Sequence, residues 1–392
     1  MIRKIDELDL HDKTVFLRVD FNVPIDQGKI TETHRIESAL PTIRLILERA
    51  RKVVIASHLG RPDGKVVAKF SLAPVRDYLE RSLGQPVVMA PDCIGADVER
   101  LAREPGHRIL LLENLRFHSE EEKNDPAFSQ SLAALADIYV DDAFGAAHRA
   151  HASIAGMAAF FKEKAAGLLL QKELDYLSRV LSKPEPPFVT ILGGAKVSDK
   201  IGVIRNLLPK VNTLLIGGGM AYTFLKAKGV DIGRSLIESD KIALAQALMK
   251  EAAERGVSLH LPLDHVTGDA DKTSPIVGAT QIPPDRMGLD IGPKTVAQFT
   301  DEIRQAKMVL WNGPVGLFEV EPYSQGSRAL AHALAENHSR LISIIAGGDT
   351  VAAVTAAGVA DKITHLSTGG GATLEFLEGR ELPGIKALEV AP

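Results

Sequence analysis

Short, continuously apolar runs alternate with helix-patterned segments along this whole chain, and that rhythm restricts it to few architectures. In the first half the runs are Val15–Val19, Val53–Ser57, Val87–Met89, Ile109–Leu112 and Ile138–Val140. In the second they are Phe188–Leu192, Thr213–Ile216, Leu259–Leu261, Met308–Trp311, Leu341–Ala346 and His365–Ser367. Apolarity that does not alternate predicts strands buried on both faces, as in a parallel sheet covered by helices. Arg35–Arg51, Lys241–Arg255 and Ser324–Glu336 carry helical spacing between them. The pattern occurs twice, and 392 residues are many for one core. The expected fold is α/β, with two doubly wound parallel-sheet (Rossmann-like) lobes joined by a helical hinge. The join is expected at 169–187, where an amphipathic helix over Gly167–Leu181 meets the proline-rich stretch Lys183–Pro187. The lobes then cover 1–168 and 188–375.

Composition narrows the function classes. Each half carries two more acidic than basic residues, so neither is a basic nucleic-acid module. Any anion site must come from local arrangement. Cys93 is the single cysteine, which excludes an internal disulfide and fits a reducing cytoplasm. The first residues lack the apolar stretch of a signal peptide, and no run is long enough to cross a bilayer. A cytoplasmic protein with no membrane or nucleic-acid partner is the expectation.

In doubly wound sheets ligands sit at the carboxyl ends of strands, so chemistry should lie just after each apolar run. In the first half those positions hold Asp20-Phe21-Asn22, His58-Leu59-Gly60-Arg61, Glu113–Phe117 with Arg116, and Asp141–His151 with Arg149; Arg35 opens a helix. Parallel strands would converge Arg61, Arg116 and Arg149 on one edge with His58 and Arg35. Guanidinium groups grip phosphate and carboxylate through bidentate forks, so the edge suits a small polyanion. Asp20 and Asn22 are placed to bond a substrate hydroxyl. The alternative for any single arginine is a structural ion pair with Glu113 or Asp142. His148 and His151 suggest a metal only weakly, because their spacing is i, i+3 without further ligands.

In the second half, the run Phe188–Leu192 ends at Gly193-Gly194, followed by Lys196 and Lys200. The glycines allow a sharp turn and close approach to a ligand. The i, i+4 spacing predicts a helix carrying both ammonium groups on one face, suited to phosphate; a solvated surface pair is the alternative. No Walker-type glycine loop occurs. Glycine clusters follow strands instead, at Gly217–Gly219, Gly347-Gly348-Asp349-Thr350 and Gly369–Gly371. The second sets a carboxylate beside backbone N–H groups, as Mg²⁺-bound phosphates require. The third opens a helix over Ala372–Glu378. Asn312–Glu319 follows another strand, and Glu319 is placed for ribose hydroxyls or is a plain surface carboxylate.

Taken together, Arg18–Pro24, Ser57–Pro62, Glu113–Phe117, Asp142–Ser153, Leu192–Ile201, Gly217–Phe224, Asn312–Glu319, Gly347–Thr350 and Ser367–Gly379 resemble, in order, the motifs of the phosphoglycerate kinase family. The resemblance spans nearly the whole chain. It implies reversible phosphoryl transfer from 1,3-bisphosphoglycerate to MgADP, giving 3-phosphoglycerate and MgATP in glycolysis and gluconeogenesis. It implies triose contacts from Asp20, Phe21, Asn22, Arg35, His58, Leu59, Gly60, Arg61, Arg116 and Arg149. It implies nucleotide contacts from Lys200, Gly288, Asn312, Glu319, Gly347, Gly348, Asp349 and Thr350, with Asp349 the Mg²⁺ ligand. It further implies a monomer whose segment 376–392 returns to the first lobe. One departure is Ala146, where the family pattern suggests threonine.

The reacting oxygens, an ADP phosphate and a substrate carboxylate, are both ionised at pH 7, so no side chain need accept a proton. Catalysis should be positioning plus charge stabilisation. Arg35 and Lys196 are expected to flank the phosphoryl in flight, aided by backbone donors of Gly370 and Gly371. Two rivals are an NAD-dependent oxidoreductase, disfavoured by the missing dinucleotide fingerprint, and an inactive anion-binding scaffold.

Overall fold

The computed structural model describes residues 1–390, and the chain divides into two compact units, Met1–Asp175 with the segment from Glu381 onward, and Tyr176–Arg380. In the first unit the strands are β1 (Thr14–Arg18), the short hairpin β2 (Ile25–Asp26) and β3 (Lys29–Ile30), β4 (Lys52–Ala56), β5 (Val88–Met89), β6 (Ile109–Leu111), β7 (Ile138–Asp141) and β8 (Lys164–Ala166). Six of them form one sheet in the order β5-β6-β4-β1-β7-β8, parallel throughout. β1, β4, β6 and β7 are buried along their length, which is why their sequences run apolar without alternation.

The second unit repeats the plan. Its strands are β9 (Phe188–Leu192), β10 (Thr213–Ile216), β11 (Ser258–His260), β12 (His265–Gly268), β13 (Ile276–Ala279), β14 (Met287–Ile291), β15 (Met308–Asn312), β16 (Ile342–Ala346) and β17 (His365–Leu366). The parallel sheet has the order β11-β10-β9-β15-β16-β17. A separate antiparallel sheet, β13-β12-β14, was not expected from the sequence. Its strands contain glycine and aspartate and lack the apolar continuity of the others.

In each sheet the strand order reverses beside the first strand, between β1 and β7 and between β9 and β15. These switch points open crevices at the carboxyl ends of the strands. Both core clusters are built from these strands and the helices flanking them, with Ile36, Ile43 and Leu79 in the first and Phe299, Leu330 and Val354 in the second.

Helix Leu168–Ser182 crosses the division between units. Its first turn is anchored in the first unit by Leu168 N–H to Thr42 Oγ1 (3.1 Å) and Leu170 N–H to Asp142 Oδ1 (3.0 Å). Burial pushes the Asp142 carboxyl up to about 7. Tyr176 on the same helix stacks on His365 of the second unit, with ring centroids 4.9 Å apart. The segment after Glu381 belongs to the first unit: Gly384 N–H donates to Ala147 O (2.9 Å), Val390 N–H to Met1 O (3.0 Å), and Leu382 and Leu388 are buried. Residues 391–392 of the expected returning segment lie outside the described residues.

Candidate active site

In the first unit Asp20, Asn22, Arg35, Gly60 and Arg116 are bonded into one network at the carboxyl ends of the strands. The loop after β1 turns so that Asp20 Oδ1 accepts from Asn22 N–H (3.1 Å), while Asp20 Oδ2 and Asn22 O both accept from Arg35 Nη1 at 3.1 Å. Asn22 Oδ1 in turn accepts from Gly60 N–H (2.9 Å), tying the β1 loop to the β4 loop. Gly60 has φ +63°, and a Cβ there would meet the Phe70 ring at 2.3 Å. Its carbonyl accepts from Arg116 Nη1 (2.9 Å), whose Nε pairs with Glu122 at 3.4 Å. Asn114 clamps the β4 loop from below, accepting from Leu59 N–H (3.1 Å) and donating to Leu59 O (2.7 Å).

These bonds sort the expected residues. Phe21 and Leu59 bury their side chains, and their backbone N–H groups are taken by Ser57 Oγ and Asn114 Oδ1. They build the loops and present no side chain to a ligand. Arg35 and Arg116 are half-buried, fixed by the loops they touch. Arg61 and Arg149 are exposed and meet no carboxylate in ion-pair range among the described residues. The acids that might have quenched them are occupied elsewhere: Glu113 accepts from Ser71 Oγ (2.7 Å) and Leu72 N–H (2.9 Å), and Asp142 anchors the crossing helix. His58 is buried, and its imidazolium form is strongly disfavoured by desolvation, then by Arg18, Arg116, Arg35 and His151. Ala146 packs with Ala143 and Ile154 in a small apolar cluster, where a threonine hydroxyl would be buried.

In the second unit three loops are stitched together at the switch point. Gly193 N–H donates to Asn312 O (3.0 Å), Gly194 N–H to Pro314 O (2.9 Å), Gly218 N–H to Val315 O (2.9 Å) and Met220 N–H to Gly194 O (3.0 Å). A Cβ on Gly193 would stand 2.1 Å from Pro314 O, so this glycine serves loop packing. Gly194, at φ +94°, has open space where its Cβ would be. Lys200 Nζ bonds Asn312 Oδ1, and Asn312 Nδ2 donates to Ala346 O (2.8 Å). Thr350 Oγ1 accepts from Gly313 N–H (2.7 Å). Gly348 and Asp349 are exposed at the start of helix Gly348–Ala356, where unpaired N–H groups and the helix dipole favour anions. Desolvation lowers the Lys200 ammonium, opposed by Asp199 and Asp349.

Several expectations need correction. Lys196 and Lys200 do not share a helix face: helix Ile201–Leu207 starts after Lys200, and Lys196 is exposed in the preceding loop. Glu238 explains this, because it takes Ser198 N–H (3.0 Å) and Ser198 Oγ–H (2.6 Å) and so holds the backbone in a turn. Gly288 lies in strand β14; its N–H donates to Ser235 Oγ (2.9 Å), and a Cβ would strike Tyr222 Oη at 1.9 Å. Glu319 is exposed. Gly370 sits at φ +51° ahead of helix Gly371–Leu377, which starts one residue earlier than expected. All three expected helix starts are present, that after Gly193-Gly194 beginning only at Ile201, beyond both lysines.

A family model described as phosphoglycerate kinase matches residues 5–380. The chain belongs to the phosphoglycerate kinase family. A phosphoglycerate kinase of Koribacter versatilis is 55% identical over 397 residues, 98% of each chain, and one of Anaeromyxobacter dehalogenans is 55% identical over 396 residues, 99% of each. The structure of phosphoglycerate kinase from Coxiella burnetii superposes with a TM-score of 0.87 at 44% identity, covering 99% of both chains. That of Pyrococcus horikoshii OT3 gives 0.86 at 31% identity, covering 99% of this chain and 98% of the other. The activity is the phosphoglycerate kinase reaction of glycolysis, a phosphotransfer with a carboxyl group as acceptor, which displaces the oxidoreductase alternative. No helix among the described residues is long and apolar enough to cross a membrane.

Residues that sequence reasoning left out of the phosphoglycerate kinase site are its supports: Arg18, Ser57, Asn114, Ser198 and Glu238. Arg18 and Ser57 did carry a signal, each a polar residue in or directly after an otherwise apolar buried strand. Glu238 carried none, since its partner is 40 residues away.

Proposed function

We propose that the first unit binds the triose and the second the nucleotide. In this reading Asp20, Asn22, Arg35, His58, Arg61, Arg116 and Arg149 hold 3-phosphoglycerate or 1,3-bisphosphoglycerate, with Phe21, Leu59 and Gly60 shaping the loops. Lys200, Asn312, Glu319, Gly347–Thr350 and the strand around Gly288 hold ADP or ATP. The observation that supports this most is that Arg61 and Arg149 are exposed with no carboxylate in ion-pair range among the described residues, while Glu113 and Asp142 are bonded elsewhere. Two guanidinium groups without counter-charge favour a polyanionic ligand.

Asp349 is our candidate Mg²⁺ ligand. Its exposed carboxylate is a hard oxygen donor beside helix N–H groups, and it joins no three-residue ligand cluster among the described residues. That donor set suits an ion that arrives on nucleotide phosphates and keeps several waters. When bound, Mg²⁺ would neutralise phosphate charge. Arg35 and Lys196 flank the transferring phosphoryl, Gly370 and Gly371 offer backbone N–H groups, and Lys200 stays with the nucleotide phosphate. No side chain is assigned as proton acceptor, because both nucleophiles are already ionised.

Since the triose and nucleotide groups belong to different units, transfer requires closure about residues 169–187 to exclude water. We also propose a cytoplasmic monomer; the single buried thiol suits a reducing compartment, and a relative from Triticum aestivum, 53% identical, is named cytosolic. The test is ATP-dependent acyl phosphate formation from 3-phosphoglycerate, with and without Mg²⁺. Arg35→Ala and Lys196→Ala should each lose at least ~100-fold in kcat with nucleotide KM nearly unchanged. Near-normal kcat in either variant removes that residue from the mechanism.

A further inference from the structure

Behind the exposed arginines lies a buried polar layer that the ligand assignments do not use. Arg18, at the end of β1, is 1% exposed, and Glu121, in the short helix Ser119–Glu122, is 0% exposed. Ser153 stands between them. Its hydroxyl accepts from Arg18 Nε (2.8 Å) and donates to Glu121 Oε1 (2.5 Å), and its backbone N–H donates to Glu121 Oε2 (2.9 Å). Arg18 Nη1 donates to Val19 O, and Nη2 lies 3.3 Å from His58 Nδ1. A continuous chain, Glu121–Ser153–Arg18–His58, thus runs from the interior to the floor of the basin.

The chemistry of this chain fixes the histidine. A guanidinium has N–H donors only and keeps its proton in proteins. Its contact with Nδ1 is a hydrogen bond only when Nδ1 offers a lone pair. A neutral imidazole with a lone pair on Nδ1 carries its proton on Nε2. Nε2 has no hydrogen-bond partner among the described residues, so that donor is left for a ligand. The surroundings agree: burial, Arg18, Arg116, Arg35 and His151 all oppose the imidazolium, and the facing carboxylate, Asp20, stands 3.9 Å from Nδ1. Glu121 supplies the balancing group, since an unpartnered buried guanidinium would be costly.

We propose that Glu121, Ser153 and Arg18 are positioning residues that hold His58 as the neutral Nε2–H tautomer, so that the basin offers a substrate oxygen one fixed neutral donor among its guanidinium groups. This rests on the assignment of His58 to the triose site. The substrate group recognised there is a hydrogen-bond acceptor, a carboxylate, phosphate or hydroxyl oxygen.

The test is ¹⁵N NMR of the full chain labelled at histidine, with His58 assigned by its loss in His58→Gln. The expected wild-type spectrum at pH 7 has an unprotonated Nδ1 and a protonated Nε2. Arg18→Met and Glu121→Gln should each give a tautomer mixture and a KM for 3-phosphoglycerate raised about tenfold with ATP KM unchanged. The His58 titration should move up toward the ordinary histidine range in Arg18→Met, which removes a cation, and not in Glu121→Gln, which removes an anion. Ser153→Ala should show the same tautomer and KM changes in smaller measure, and Arg18→Lys should restore charge without restoring the tautomer. A wild-type His58 protonated at Nδ1, or charged at pH 7, overturns the proposal even where a variant fails to fold. So do folded variants with an unchanged tautomer. If the tautomer is as expected but His58→Gln leaves KM for 3-phosphoglycerate unchanged, the triose assignment of His58 fails and tautomer control stands.

Discussion

Single atoms decide much at the second switch point. A Cβ on Gly193 would sit 2.1 Å from the Pro314 carbonyl oxygen, where backbone must shift, whereas one on Gly348 would meet nothing within 4 Å. Gly193→Ala should therefore cost ~2–4 kcal/mol through overpacking, read as a lowered urea midpoint. Gly348→Ala should leave that midpoint nearly unchanged yet raise the nucleotide KM, because its exposed amide is proposed to face phosphate. Equal midpoints for the two variants would refute the packing role of Gly193. His265 gives a pH prediction at the same scale. It is buried beside Tyr222, and desolvation brings it down to about 4 against the opposing pull of Asp264. The folded state then binds fewer protons than the unfolded state between about pH 6.5 and 4. Stability contributed by the neutral imidazole is present above that window and lost as pH falls through it. His265→Gln should flatten the slope of stability against pH there by up to about one proton, ~1.4 kcal/mol per pH unit; parallel wild-type and variant curves would exclude this.

Elements show how far sequence could be read. Strands β9, β10 and β15 were legible because burial on both faces demands unbroken apolarity, and their observed limits match the runs to within a residue. β8, Lys164-Ala-Ala166, was not, since it is short, has β7 as its one strand neighbour with only a single bridge from Ala166 to Lys4 beyond it, and carries no β-branched residue. Most of the candidate basin residues were legible because they follow a strand, Arg35 because it opens a helix; their supports were not, because Ser153, Glu121 and Arg18 meet only in three dimensions. The loop 195–200 is the plainest case: spacing suggested a helix, and a long-range carboxylate forbade it. Burial pushes the Glu238 carboxyl up, but hydrogen bonds from Ser198 outweigh it and hold it below the usual range. Glu238→Ala should free the loop at a cost of about 1–3 kcal/mol, with faster amide exchange at 197–199 and reduced kcat through Lys196. Unchanged exchange there would show that the loop holds its turn without Glu238.

Across the whole molecule the chain leaves the first unit through helix Leu168–Ser182 and re-enters it after Arg380. The first unit is thus completed only by the end of the chain, where Leu382 is 1% exposed and Leu388 is 0% exposed. Gly384 packs so closely that a Cβ would meet Ile154 at 2.8 Å and Ala147 at 3.0 Å. Removing a buried leucine side chain costs about 2–5 kcal/mol, and for Leu388→Ala that loss falls on the first unit. The single tryptophan, Trp311, lies in the core of the second unit, its Nε1–H donating to Gly313 O (2.8 Å), so its fluorescence reports that unit alone. Far-ultraviolet circular dichroism reports helices of both. In Leu388→Ala the dichroism transition should begin at lower urea while the fluorescence transition keeps the wild-type midpoint, separating two probes that a single cooperative unit would keep together. If both transitions shift equally, the units unfold as one, and the returning segment stabilises the whole chain instead of the unit it completes.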